Sequence, residues 1–291
     1  MKMISPVVFG LSLAVAGSTL AAAQEMMSGP PKVLQIDREF IKPGKAGVMH
    51  DKSESHFVQA MERAKWPTHY IALNSLSGKS RALYLVGYPS FDAWDKDMKA
   101  MDKNTALSAE IDQDEVNDGA LLDGFDQGVL YYDPDMSYRP DADLAHDRYV
   151  EISGYHLKPG HQKDWAEAAK MVIEATKKAG TSAHWAMYEI AYGGSDEYLI
   201  FSGDKSMAEI DTGYAEGKKF EEAMGEEGMR KLDELVRNSV DSADSELFEI
   251  NPRQSYPPED WVKADPGFWN PKPAMAKAAK PAAPPAQKSG Q

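Results

Sequence analysis

The sequence predicts an α+β fold in which two tandem ferredoxin-like units form one intramolecular, pseudo-dimeric barrel. The main observation is an internal repeat. Residues 33–44 (VLQIDREFIKPG) are similar to residues 149–160 (YVEISGYHLKPG), and both stretches end in Lys-Pro-Gly. In both copies apolar residues alternate up to the turn and a segment of helical period follows it. The later segments also recur in the same order, strand, helix, hairpin, helix and strand, which is typical of a split βαβ unit. We therefore predict a duplication.

The N-terminus has the pattern of a signal peptide over residues 1–23. Lys2 precedes an apolar run, and the run ends at three alanines before Gln24, which is the small-residue pattern that signal peptidase cleaves. We predict cleavage after Ala23 and a periplasmic or secreted protein. No later stretch approaches the roughly 20 apolar residues that a membrane-spanning helix needs.

The repeat and the composition together predict the domain boundaries. The hairpin strands are apolar on both alternation phases, as in residues 84–86 and 198–201, so both faces of the sheet should be covered. The C-terminal stretch is rich in Pro, Ala and Lys and cannot build a core. The predicted segments after the signal peptide are a connector (24–32), a first unit (33–133), a linker (134–147), a second unit (148–251), an irregular strap (252–270) and a disordered tail (271–291).

Composition excludes several classes of function. The chain has 291 residues, no cysteine and a formal net charge of −14, which argues against disulfides, thiolate chemistry, nucleic-acid binding and anionic membrane surfaces. The standard phosphate-loop, dinucleotide, zinc-protease and nucleophile-elbow motifs are absent from the sequence, so nucleotide and hydrolase functions lose their main support.

Histidines with aromatic neighbours are the predicted ligand-binding residues. His69 and Tyr70 stand early in the hairpin of the first copy, and His184 and Trp185 stand at the same place in the second. His56 lies on a helical stripe that we predict to face the sheet. Our hypothesis is that His56 and His69 line a pocket in the first unit, with His184 as a structural relic. The alternative is that all these side chains are core residues, and the sequence assigns no catalytic residue.

An acidic run between Asp112 and Asp126 is a candidate for a Ca²⁺ site. Val116 occupies the fifth loop position, where an EF-hand needs an oxygen ligand, and Asn117 stands where the loop requires glycine. We therefore interpret the run as a solvated helix face, and the sequence predicts no metal site.

With the repeated unit, the Lys-Pro-Gly turns and the aromatic hairpins, residues 33–252 resemble the dimeric α+β barrel superfamily, and within it NIPSNAP-like and antibiotic-biosynthesis-monooxygenase-like proteins. The resemblance implies two paired ferredoxin-like sheets and a pocket between sheet and helices. Members include cofactor-free monooxygenases, haem-binding enzymes and proteins without known activity, so haem is a cofactor that the resemblance allows, while the cofactor itself stays unknown.

The sequence leaves the function open between two classes. The first is an exported barrel that binds a small molecule, with a monooxygenase-like or haem-associated activity. The alternative is a non-catalytic periplasmic binding or structural protein. The expected partners are a small-molecule ligand and, in a homodimer, a second copy, and we expect neither nucleic acid nor, after signal cleavage, a membrane.

Overall fold

In the computed structural model, residues 29–141, 143–194 and 197–270 are described, and they form a closed barrel of eight antiparallel strands. The predicted signal peptide and tail lie outside these residues. The strands are β1 (Val33–Ile41), β2 (Tyr70–Ser75), β3 (Arg81–Tyr88), β4 (Leu122–Tyr138), β5 (Tyr149–Leu157), β6 (Trp185–Tyr192), β7 (Glu197–Asp204) and β8 (Val240–Ile250). The helices are α1 (Val48–Ala64), α2 (Phe91–Lys103), α3 (Thr105–Asp118), α4 (Gln162–Ala179), α5 (Met207–Ser239), α6 (Glu259–Ala264) and α7 (Pro266–Trp269).

The two halves of the barrel have the same strand order. The first half runs β4-β1-β3-β2 and the second β8-β5-β7-β6, with all neighbours antiparallel, which is the order of a ferredoxin-like sheet. The sheets join where β2 pairs with β8 and β4 pairs with β6. The predicted pseudo-dimeric α+β barrel is therefore confirmed.

Apolar side chains fill the barrel interior, while the helices cover the outer face. Phe248, Leu73 and Leu130 are fully buried members of the interior cluster. Because alternate residues of a strand point to opposite faces, the remaining apolar residues of the same strands lie under the helices. Both faces are thus covered, as the two-phase apolar pattern predicted.

The buried faces of α1 and α4 define which residues of the two halves correspond. His50, Glu54 and Ala60 are buried on α1, and residues with the same spacing, Trp165, Ala169 and Ala175, are buried on α4. This register differs by one residue from the predicted stripe.

The prediction that His56 faces the sheet is consequently wrong. Its side chain is about half exposed, and its Nδ1 lies 3.8 Å from Oδ1 of Asp114 on α3. The buried face of α1 is instead centred on His50 and Glu54, which turns His56 toward the neighbouring helix.

The C-terminal segment 252–270 is more ordered than the irregular strap that the sequence predicted. It contains α6 and α7, and the side chain of Asp265 caps α7 by accepting a hydrogen bond from the backbone of Phe268. Trp269 is buried, and it packs with Trp261 against the interior cluster. Within the described residues, no helix combines the length and the apolar character needed to cross a bilayer.

Candidate ligand-binding cleft

In the first half of the barrel, the space between β3 and α2 is filled by hydrogen-bonded and aromatic side chains. The hydroxyl of Tyr88 donates to Oδ2 of Asp97 at 3.0 Å, and the hydroxyl of Thr68 donates to its Oδ1 at 2.7 Å. The ring of Trp94 stacks on Tyr88 with 6.2 Å between centroids. This region of the first half is closed.

In the second half, Asp204 takes the place of Tyr88. Each of the two residues ends its strand and pairs with the first residue of the half, Val33 with Tyr88 and Tyr149 with Asp204. A carboxylate therefore replaces a phenol at the same position of the sheet, and it is too short to fill the same space.

The helix above Asp204 also carries smaller side chains than its counterpart. Counted from the N-cap serine of each helix, Ile210 of α5 stands where α2 has Trp94. By the same count Gly213 stands where α2 has Asp97. The second half therefore has no equivalent of the group formed by Tyr88, Trp94 and Asp97. The space between β7 and the start of α5 stays open.

The result is an open cleft of about 1050 Å³ between the second sheet, the start of α5 and the segment between β4 and β5. Trp185, Ile210 and Tyr214 give it an apolar part, and Tyr214 is 83% exposed. Six carboxylates and only two cationic side chains, Arg139 and Lys205, line it as well. The six carboxylates are those of Asp141, Asp143, Asp147, Glu151, Asp204 and Glu209.

Two of these carboxyl groups hold their protons unusually tightly. Burial, followed by repulsion from Glu151, raises the pKa of Asp204 from 3.8 to about 6. Burial and then Asp143 raise the pKa of Asp147, whose Oδ2 is buried without a hydrogen-bond partner. By contrast the pKa of Asp143 is lowered, chiefly by the hydrogen bond from Lys205. When its carboxyl groups are ionised, the cleft has an excess of negative charge, because six acidic side chains face two cationic ones.

Two of the sequence-predicted site residues, His184 and Trp185, line this cleft. Nε2 of His184 lies 2.8 Å from the carbonyl oxygen of Gly203, and Nδ1 lies 3.2 Å from that of Ser182. The indole N–H of Trp185 donates to the carbonyl oxygen of Met136 at 2.9 Å. His184 is thus held in place by backbone contacts on both sides of its ring.

The other three predicted residues lie in the first half, away from the cleft lining. The ring of His69 lies 4.6 Å from that of Tyr256, and burial lowers its pKa. Tyr70 packs edge-on to Tyr84, with 6.1 Å between centroids. Because His56 is exposed toward α3, it does not line a sheet-facing pocket together with His69. Ligand binding by any of the five residues remains a prediction.

The cleft does not suit haem. Both ring nitrogens of His184 face backbone carbonyl oxygens, so neither is positioned to serve as an axial ligand to iron. The carboxylates around the opening would also repel the anionic propionates of a haem group. The donor set at this site favours a cationic ligand.

The sequence matches no protein-family model and no curated protein sequence. Among solved structures, a candidate monooxygenase from Fusobacterium nucleatum is 11% identical and aligns with a TM-score of 0.50 over 76% of this chain and 93% of its own. A second candidate monooxygenase, from Lactobacillus acidophilus, is 8% identical with a TM-score of 0.47 over 74% and 92%. A mutant chlorite dismutase from Candidatus Nitrospira defluvii is 10% identical with a TM-score of 0.47 over 84% and 99%.

At these identities the likeness concerns the fold alone, and the barrel topology described above agrees with it. The resemblance to NIPSNAP-like proteins stays a prediction, as does an origin by duplication. The chain has the fold of the dimeric α+β barrel proteins, with both sheets of the barrel supplied by one polypeptide.

Proposed function

We propose that the protein is a small-molecule-binding barrel whose second half takes an organic cation with an apolar body. The observation that carries this proposal is the open cleft of about 1050 Å³, lined by six carboxylates and by Trp185, Ile210 and Tyr214. A cleft of this size fits a drug-sized or smaller molecule.

The charges of the cleft favour a cation over an anion. Lys205 makes its ion pair with Asp143 at 2.8 Å. Its charge also acts on Asp147, but burial and Asp143 still raise the pKa of Asp147 overall. A bound ammonium group would stabilise the ionised form of these carboxyl groups, because an opposite charge nearby lowers a carboxyl pKa. The ring of Trp185 or Tyr214 would contact the apolar body, and an aromatic face also attracts a cation.

The test compares two probes that share one apolar body and differ in charge, tryptamine and indole-3-acetate. We expect calorimetry at low ionic strength to show saturable binding of tryptamine, weak or no binding of the acetate, and loss of tryptamine affinity in Asp204→Asn. The matched control is Asp241→Asn, at an exposed position of β8 outside the cleft lining. Equal binding of the two probes, or equal affinity of both variants, would refute the proposal.

A monooxygenase-like activity at the same cleft is the second candidate function. The observation in its favour is the carboxyl group of Asp204, which has a raised pKa of about 6 and lies in the same cleft lining as His184. A group of this pKa can take a proton from an acidic C–H or O–H of a substrate near neutral pH. Oxygen uptake with an electron-rich phenol such as hydroquinone, above the rate in buffer and lost in Asp204→Asn, would support it. If oxygen uptake does not exceed the rate in buffer, the monooxygenase-like activity is rejected and ligand binding is the only proposed function that remains.

Export remains part of the proposal, on the evidence of the N-terminal sequence. Fractionation of the native host followed by N-terminal sequencing should recover a mature chain that begins at Gln24. A cytoplasmic protein that retains residues 1–23 would contradict it.

A further inference from the structure

A second group of polar side chains lies in the first half, between α1, the end of α3 and the outer face of β1. Glu39, His50, Glu54 and Asp118 each offer one potential ligand atom, and these atoms all lie within 4.8 Å of one another. The side chains of His50, Glu54 and Asp118 are between 1% and 5% exposed, and that of Glu39 is 13% exposed. The group is therefore almost entirely removed from water.

Three elements position the four side chains. Glu39 projects from β1, His50 and Glu54 lie four residues apart on the buried face of α1, and Asp118 is the last residue of α3. Nε2 of His50 lies 3.0 Å from Oε2 of Glu39, 3.8 Å from Oε1 of Glu54 and 3.8 Å from Oδ1 of Asp118. One imidazole nitrogen thus faces three carboxylates.

Several oxygen atoms of this group are buried without a hydrogen bond, and the hydroxyl of Tyr84, itself without a partner, lies beside Glu54 and Glu39. Oε1 of Glu54 and both carboxylate oxygens of Asp118 are buried without a partner, although the two residues are only 4% and 2% exposed. Asp118 also stands at the C-terminal end of a helix, where the helix dipole disfavours a negative charge. Buried carboxylates without partners are costly unless a cation balances them or a proton neutralises them.

The second half shows that the fold does not require these charges. On the buried helix face, Trp165 and Ala169 stand where α1 has His50 and Glu54. The ring of Trp165 lies 4.8 Å from Tyr155 and 5.8 Å from Tyr198. An aromatic core fills this space in the second half, so the polar group of the first half needs another explanation.

Tyr155 also marks the strand position that corresponds to Glu39. Each is the seventh residue of its copy of the repeated stretch. Glu39 pairs with Ala82 across β1 and β3, whereas Tyr155 pairs with Tyr198 across β5 and β7. The first half therefore has a small residue opposite its carboxylate, where the second half has a pair of tyrosines.

We propose that Glu39, His50, Glu54 and Asp118 bind one divalent transition-metal cation, of the class of Mn²⁺ or Fe²⁺. Three carboxylates with one imidazole form a donor set for metals that accept both oxygen and nitrogen ligands. Ca²⁺ takes oxygen ligands, and Mg²⁺ gives up its water reluctantly, so a buried site with one imidazole suits neither. From the sequence we predicted no metal site and interpreted Asp118 as part of a solvated acidic helix face. That interpretation is wrong for Asp118, because this residue is buried.

Gln254 is the residue that we expect to orient His50 for this role. It is fully buried, its Nε2 lies 3.2 Å from Nδ1 of His50, and it donates to Oδ1 of Asp51 at 3.0 Å. Its Oε1 is buried without a partner. A half-turn of the amide would let this oxygen accept a hydrogen bond from Nδ1–H of His50, in exchange for the hydrogen bond to Asp51. The lone pair of Nε2 would then be free to ligate, which is how second-shell partners orient metal-binding histidines.

The test uses the full chain after chelator treatment, with Mn²⁺ alone as the probe. Electron paramagnetic resonance measures free Mn²⁺ during the titration, and thermal unfolding is followed with and without the ion. The variants Asp118→Asn and Glu54→Gln keep the shape of each side chain and remove its charge. The matched control is Glu110→Gln on α3, where the carboxylate pairs with Arg63 at the surface.

We expect the wild type and Glu110→Gln to bind one Mn²⁺ per chain and to unfold several degrees higher with the ion. In Asp118→Asn and Glu54→Gln the affinity should fall by more than the roughly 10–100-fold that follows loss of a second-shell partner. Without metal these two variants should unfold no earlier than the wild type, because each removes repulsion from a buried group. The proposal fails if the wild type binds no Mn²⁺ saturably, if the variants bind it equally well, or if the metal-free variants are clearly less stable.

Discussion

Tyr88 and Asp204 occupy the same position in the two halves of the barrel, but only Tyr88 closes the space above it. Tyr88 donates a hydrogen bond to Asp97 on the covering helix, whereas Asp204 lines an open cleft. The relation is reversed at the first helix of each half, where Trp165 packs between aromatic rings and His50 faces three carboxylates. At each of these two places, one half of the barrel has a group of polar side chains and the other half has packed aromatic rings.

The substitution Asp204→Asn should stabilise the protein increasingly as the pH rises from 4 to 7. The folded state raises the pKa of this carboxyl from 3.8 to about 6, so the folded chain binds the proton more tightly than the unfolded chain. The stability gained from that proton is present below pH 3.8 and is lost as the pH rises through about 6. The amide resembles the protonated acid at every pH, so its advantage should grow through this window and be complete above about pH 6.

Thermal unfolding of the wild type and the variant at several pH values measures this effect. Asp241→Asn, at an exposed position of β8, serves as the control and should show little change with pH. A constant difference between Asp204→Asn and the wild type from pH 4 to 7 would contradict the assigned pKa.

Truncation should separate the two parts of the C-terminal segment. A chain that ends at Asn270 should unfold at nearly the temperature of the full chain, because the Pro/Ala/Lys-rich remainder cannot build a core. A chain that ends at Pro257 should be clearly less stable, since it loses Trp269, which is buried and donates to the carbonyl oxygen of Ala145 at 2.9 Å. It also loses Asp265, the ion-pair partner of Arg148. Equal unfolding temperatures for the two truncated chains would show that α6 and α7 add no stability.

The substitution Phe248→Ala should reduce the free energy of unfolding by about 3–5 kcal/mol, as is typical when a fully buried phenylalanine is truncated in a core. Phe248 is 0% exposed and belongs to the interior cluster, to which strands of both halves contribute. Phe125→Ala is the matched control, because Phe125 is 53% exposed on β4. Urea unfolding measures both variants, and a loss for Phe248→Ala no larger than that of the control would mean that the barrel interior is not the main core.

The sequence by itself predicted the confirmed barrel fold, because the information for it is local and repeated. The alternation up to each Lys-Pro-Gly turn gives a strand, the period after it gives a helix, and the recurrence of the whole order gives two equal sheets. The apolar residues on both phases of the hairpins predicted that each sheet is covered on two sides. None of these inferences needs the identity of a distant partner.

The two candidate sites depended on the tertiary structure, because each joins residues from separate elements. In the repeat alignment Glu39 already corresponds to Tyr155. His50 and Glu54 have the four-residue spacing of neighbours on one helix face. These were the available signals, but the helix register was wrong by one residue and favoured His56. Only packing showed that His50 faces Glu39 and Asp118 and that Gln254 reaches it from the other end of the chain. Charged residues of this kind are ordinary on a surface and form a candidate site only when they are buried together. Which of them are buried depends on which helix covers which strand.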